Sequence, residues 1–382
     1  MQSGIVLFAK SSGITSFSSL FAIKKALATK KVGHTGTLDS FASGLLVVCT
    51  GSLTRLASYI TAFHKTYDAV IEFGSETDTL EYTGNIVKTA PLPKKDDVLS
   101  ALAHHTGDML QTPPLFSALH INGERASSIA RSGRKADMPS RPVTVYSAEA
   151  EEFLFEKDDF VKAVRVRFSV SKGTYIRSLA RDIGSYCKSA AHLAGLRRLS
   201  VGSFRLEDAA GVSSLKPFTI RSVYETISEM RESNAALCKE GSPEHIPHAK
   251  GEVPPSLSPR PRAYEKGVQS EVREKMQTMT ERLAVECGFR ALRIFSEYED
   301  DFKHGRPLLS SMFEKTAGGI GEARGTSSDL GACAKSDARP VNGDCTAGGD
   351  ALIAVFGSRN RFLGMITESG SGAYSYAFVR SD

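Results

Sequence analysis

The sequence predicts an α+β fold: a large mixed, mainly antiparallel sheet flanked by helices, followed by a small β-rich C-terminal domain. Three observations predict it. Segments 66–73 (TYDAVIEF), 143–155 (VTVYSAEAEEFLF) and 160–170 (FVKAVRVRFSV) alternate apolar and polar residues, the two-residue period of strands with one solvated face. Helical stretches near 95–104, 124–132 and 175–188 lie among these strands, a mixture that fits helices packed on such a sheet. Near the end of the chain, ALIAVFGSRNRFLGMITESG (351–370) reads as a hairpin, with an apolar run on each side of a turn at 358–360.

Taken in chain order, residues 4–9 (GIVLFA) form a buried strand. Residues 17–28 (FSSLFAIKKALA) carry a helical pattern in which Phe17, Leu20, Phe21 and Ile23 share the inner side and Lys24 and Lys25 point out, with Ser16 as the N-cap. A glycine-rich loop then leads to the strand LLVVCTG (45–51). The alternating strands and their helices complete a first domain over residues 1–218. Residues 232–262 are rich in Pro, Ser, Gly and charge, the composition of a linker or insertion that can be disordered, and 219–275 is assigned to that role. RLAVECGFRALRIFSEYEDDFKHGRPLL (282–309) reads as helix, strand and turn, opening a C-terminal domain over 276–382. A second stretch, 314–349, is full of Gly, Ala, Ser and Asp and is read as a low-complexity insertion in that domain.

Composition excludes several classes. The chain has 382 residues, 41% hydrophobic and 24% charged, with a formal net charge of +5; this is a globular composition. Residues 1–215 hold 26 Lys and Arg against 20 Asp and Glu, and the remainder 22 against 23, so the positive excess lies in the first part. That is where a surface meeting a phosphate backbone is expected. The six cysteines form no CxxC pair, and no His stands at zinc-ligand spacing from two of them, so no metal is expected. Neither GxxxxGK[ST] nor a good GxGxxG occurs, and no cofactor is expected. The N-terminal run MQSGIVLFAK does not read as a signal peptide, and no stretch approaches the roughly 18–20 apolar residues of a membrane span. A cytoplasmic protein is expected.

One segment concentrates chemistry. VGHTGTLDSFASGLLVVCTG (32–51) sets Asp39 in a loop of small residues and glycines just before a buried strand. Gly33, Gly36 and Gly44 let the backbone turn tightly and let a ligand approach. By residue chemistry alone, an Asp in such a loop more often caps a turn; Tyr67 is equally a core Tyr, and Arg177 a structural ion pair or a phosphate contact.

The motif tips that balance. GHTGTLDSFASGLL (33–46) resembles the catalytic signature of the TruB family of pseudouridine synthases, GHxGTLDPxAxGLL, without a gap. It departs at Ser40, where the family has Pro, which should loosen the loop slightly. KTYDAVIEFGSETDTLEYTG (65–84), SKGTYIRSLARDIG (171–184) and LRRLSVGSF (196–204) are similar to further family motifs, and Lys10, Gly13, Thr15 and Ser16 match the opening of the family domain. QTPPLFSALHINGERASSIARSG (111–133) is similar to the family's mobile RNA-binding loop, departing at Ser127, where an aromatic residue is usual. The resemblance covers residues 3–215; the C-terminal part only loosely resembles a PUA domain.

The resemblance implies the pseudouridine synthase fold and a tRNA pseudouridine-55 synthase, an isomerase acting on the T arm. It implies that Asp39 is the catalytic carboxylate, that Tyr67 lies in the active site and that Arg177 pairs with Asp39. Tyr175 and Leu199 are placed at the pocket, and His34 is the residue that stacks where the target base leaves the RNA fold. Lys10 is placed among the substrate-binding residues. The basic cluster Arg125, Arg131, Arg134, Lys135 and Arg141, within 111–141, is expected to track phosphates. No obligatory protein partner is expected, and the enzyme should act as a monomer. Two other readings stay open: an RNA-binding or RNA-folding module without catalysis, and the guide-RNA-dependent relative dyskerin, which shares the signature.

Overall fold

A computed structural model describes residues 3–121, 123–134, 137–240, 262–314, 351–369 and 373–380. In chain order the first half comprises β1 (Ile5–Lys10), α1 (Ser16–Ala26), β2 (Val32–His34), β3 (Ser43–Thr50), α2 (Ala57–Thr61), β4 (Lys65–Phe73), β5 (Ser75–Thr77) and β6 (Ile86–Thr89). It continues through α3 (Lys95–His104), β7 (Gly107–Gln111), β8 (His120–Ile121), β9 (Glu124–Arg125), α4 (Ala126–Arg131), β10 (Arg141–Lys157) and β11 (Phe160–Val170). Then come α5 (Ile176–Tyr186), β12 (Ala191–Val201), β13 (Phe204–Arg205), α6 (Ile220–Glu240) and α7 (Arg262–Glu274). The C-terminal part comprises α8 (Glu281–Glu286), β14 (Arg290–Arg293), α9 (Glu299–Lys303), β15 (Ala351–Phe356), β16 (Phe362–Glu368) and β17 (Tyr374–Val379).

The central sheet runs β1-β3-β12-β4-β11-β10-β7, with β2 joined to β3 and β13 to β12. Every pairing is antiparallel except β3 with β12. This is the α+β arrangement that the alternating strands predict. One face of the sheet's middle carries α3 and α5, whose Val98, Leu102, Leu179 and Ile183 pack on Ile71, Val164, Val166 and Phe168. At the other end of the sheet, β1 and β3 are buried on both sides. Val6, Phe8, Leu46 and Val48 meet α1 and α7, while Ile5, Leu7, Leu45 and Val47 meet the C-terminal sheet. That explains why GIVLFA and LLVVCT are unbroken apolar runs: a strand covered on both faces has no polar phase.

The C-terminal sheet has the order β14-β15-β16-β17, with β15 and β16 forming the expected hairpin. It packs on the central sheet through Phe356, Phe362 and Phe378 and builds a second small core around Phe302 on its far side.

Three expectations are corrected. Residues 219–275, expected as a linker or insertion, contribute α6 and α7 to the core. Ile220, Val223 and Ile227 pack on Val70, Ala163 and Ala194, and Val268 and Val272 pack beside α1. Residues 241–261 and most of 314–349 lie outside the described residues. Of the four residues of α1 expected inside, only Leu20 and Ile23 face the core; Phe17 and Phe21 are 72% and 50% exposed, because α7 and the sheet cover a narrower stripe than the pattern offered. The N-cap is Thr15, whose hydroxyl accepts from Ser18 N, which frees Ser16 for the loop described next.

Candidate active site

The loop between β2 and β3 is clamped from below. Leu38, Phe41 and Ala42 are buried and plug it into the core, leaving Asp39 between them to face outwards. The Ser16 hydroxyl accepts from Leu38 N (2.8 Å) and donates to Leu38 O (3.0 Å). Lys10 lies beneath. Its Nζ donates to the carbonyls of Ile14 (2.7 Å), Ala42 (2.6 Å), Ser11 (3.0 Å) and Ser40 (3.3 Å). Burial pushes the Lys10 ammonium down to about 7, opposed by the charge of Asp39 and reinforced by that of Arg198. Of the three glycines, only Gly44 has a positive φ, and a side chain there would collide with the main chain of Arg198.

Arg177, the second residue of α5, reaches Asp39 from the opposite wall. Nη2 donates to Asp39 Oδ1 (3.2 Å), and Nε lies 3.0 Å from Oδ2 without the alignment of a hydrogen bond. Its other donations go to main-chain carbonyls, Nη1 to Thr79 O and Nη2 to Phe116 O, both at 2.9 Å. The guanidinium is 5% exposed and the carboxylate 36%. One anchored cation thus orients a carboxylate whose outer side stays open.

The space beyond Asp39 is a cleft of about 660 Å³, lined by Asp39, Tyr67, Tyr175, Arg177, Leu196 and Arg198 among others. That size suits a nucleoside-sized ligand. Tyr67 comes from β4, where it stands opposite Phe168 on one side and Arg198 on the other. Tyr175 is the N-cap of α5. The buried Gln111 amide brackets its main chain, donating to Tyr175 O (3.1 Å) and accepting from Tyr175 N (2.8 Å). Burial pushes the Tyr175 phenol up, with the nearby Ser117 hydroxyl opposing.

The structure brings Asp39, Tyr67, Tyr175, Arg177 and Arg125 to one cleft, and Ser127 lines it too. Two residues are corrected. Lys10 is fully buried and holds the loop; it has no surface with which to touch RNA. Leu199 is half-buried and is not among the cleft-lining residues; Leu196 and Arg198 take that place, because side chains alternate along β12 and Leu199, directly after Arg198, is out of phase with them. His34 ends β2, half-buried and outside the cleft lining, and its Nδ1 has no hydrogen-bond partner among the described residues. Burial, and then Arg198, push its pKa down, so the ring is neutral at physiological pH. Arg131, Arg134 and Arg141 are exposed and do not line the cleft, and Arg134 pairs with Glu124. Lys135 lies outside the described residues.

Sequence reasoning missed Gln111, Lys65 and Arg198. Lys65 carried a signal: two residues before Tyr67 on an alternating strand, it had to share the inward face. Arg198 and Gln111 carried none beyond their motifs.

Comparison with known proteins points to one family. Residues 24–176 match the model of the TruB family pseudouridylate synthase N-terminal domain. A tRNA pseudouridine synthase B of Treponema pallidum is 36% identical over 332 residues, covering 82% of this chain and 88% of the relative. One of Treponema denticola is 48% identical over 229 residues, 56% of this chain and 64% of the relative. Among solved structures, an H/ACA ribonucleoprotein bound to a substrate RNA containing 2′-deoxyuridine is similar with a TM-score of 0.57. The identity is 19%, over 99% of this chain and 85% of that one.

Proposed function

The chain belongs to the TruB family of pseudouridylate synthases, and on that premise we propose that it isomerises the T-arm uridine of tRNA, position 55, with Asp39 as the catalytic carboxylate. It is an isomerase that makes pseudouridine in tRNA. The N1–C1′ bond breaks, the base turns, and C5 joins C1′; C5 gives up a proton and N1 gains one, so neither oxidant nor energy source is consumed. The observation that carries the reading is the Asp39 carboxylate, gripped on one side by Arg177 and open on the other to the cleft. So held, it serves either attack on the nucleotide or stabilisation of positive charge at C1′. Tyr67 offers a flat face for the uracil and a hydroxyl to pass the proton. Arg125 and the exposed Arg131, Arg134 and Arg141 lie towards the RNA, and His34 is the residue that fills the vacated stack. We read 1–218 as the catalytic domain and 276–382 as a PUA-like domain, in a cytoplasmic enzyme that acts as a monomer without cofactor.

The test is to map pseudouridines in a tRNA transcript treated with purified chain and with Asp39→Asn. Conversion of one T-arm uridine by the parent, with tRNA binding but no conversion by the variant, is expected. Normal conversion by the variant would overturn the role of Asp39. Inactivity of the parent on a bare transcript would favour a guide-dependent enzyme or a binding module.

A further inference from the structure

The charges lining the cleft do not balance. Asp39 is the one acid among the lining residues and is matched by Arg177, whereas Lys65, Lys172 and Arg198 have no acidic counterpart there. Arg198 is 2% exposed. Its Nε and Nη2 donate to Leu45 O (2.8 Å) and Gly36 O (3.0 Å), and Nη1 is left without an acceptor among the described residues. Lys65 is 7% exposed, and its Nζ donates to Thr61 O (2.6 Å) and Phe63 O (2.5 Å), so one N–H remains. Lys172 sits exposed in the turn between β11 and α5. Burying cations without a counter-charge is costly, and an arriving anion offsets that cost.

Register says which anion. Lys65 and Tyr67 share one face of β4, two residues and therefore roughly 6.6 Å apart along the strand. Arg198 stands opposite Tyr67 on β12. A uracil laid against Tyr67 has its own sugar–phosphate chain beside these cations. We propose that Lys65, Arg198 and Lys172 form an anion subsite that holds a phosphodiester adjoining the uridine in the cleft. This rests on the functional reading above. The charges acting on Lys65, from Arg198 and Lys172, are both positive, and burial, Lys65 and Arg205 in turn push the neighbouring His64 down. Burial, then Arg198 and Lys172, hold Lys65 at about 7, so in the free protein at pH 7.5 it is partly neutral. The bound phosphodiester raises that value, and the complex takes up a proton.

The probes are T-arm stem-loop RNAs carrying a single neutral methylphosphonate at each linkage around the target uridine, bound to the full chain, Lys65→Met and Lys172→Met. For the parent, one linkage should cost about tenfold in affinity. In Lys65→Met that same linkage should cost nothing further, and the log–log salt slope should fall by about one. Calorimetry in two buffers of different ionisation enthalpy should show proton uptake by the parent near pH 7.5 and none by Lys65→Met. Lys172→Met, at an exposed turn position, keeps the test available if Lys65→Met fails to fold, and should show a smaller version of the linkage effect. Equal linkage penalties in all three proteins would overturn the subsite. So would tight binding of inorganic phosphate with no linkage of the RNA mattering, which would make this a free-anion site. If the parent converts no uridine, the functional reading has failed; if it converts normally and the penalties are equal, only the subsite has.

Discussion

Two carboxylate–guanidinium pairs, one on the sheet and one between a loop and a helix beside it, are built in opposite ways. Asp68 follows Tyr67 on β4, and the pleat sends it to the other face. There Arg167 Nε and Nη2 reach its two oxygens at 2.8 and 3.0 Å and Arg165 Nη1 adds a contact at 3.4 Å. Both arginines are shared with Glu151. Asp68 is 6% exposed and held by three donors, while Arg167 is 41% exposed. At Asp39 the order is reversed: the arginine is buried and tied to the main chain, and the acid looks out. An ion pair becomes a rivet when the acid is inside and a tool when the cation is. An acid proposed to bear chemistry needs a free edge, and here its partner is fixed by the main chain instead.

This contrast can be broken at either pair. Asp39→Asn keeps the shape and removes the charge, and should slow pseudouridine formation at least about 10³-fold, measured as converted uridine per unit time. Arg177→Lys keeps a positive charge, but a point charge cannot serve two carbonyls and both carboxylate oxygens. Its kcat should fall roughly 10²-fold with a smaller change in KM. Asp68→Asn should do the converse: urea denaturation should show a loss of about 2 kcal/mol, below the full cost of a broken buried pair because both arginines retain Glu151. Conversion by the folded variant should be unchanged. A large catalytic defect there would erase the distinction drawn between the two pairs. Ser40→Pro gives the smallest effect. It should stabilise the loop by about 0.5 kcal/mol in the same denaturation assay, without altering the rate, since Lys10 and Gly13 hold Ser40 only by its carbonyl.

Alternation and apolar runs were enough to read the main strands, and the hairpin at 351–368 appears where its turn residues pointed. The pairing of Asp39 with Arg177 was legible only through the motifs, because the two residues are brought together by tertiary packing. Burial was the blind spot. Lys10 reads as a surface cation in any one-dimensional account, yet four carbonyls solvate it inside the fold. Leu199 is one residue out of phase with Leu196 and Arg198, which line the cleft from the same strand. The helices α6 and α7 were hidden by their composition. Ile220, Val223 and Ile227 are correctly spaced for one face, but a polar background and a Pro-rich neighbour outweighed three apolar residues.

The parallel contact of Gly44 with Arg198 joins positions more than 150 residues apart in the chain. No nascent fragment ending before β12 can close the floor of the cleft, however complete its catalytic loop. On the proposed reading the acid is thus translated early and its cleft completed late, only once β12 has been made.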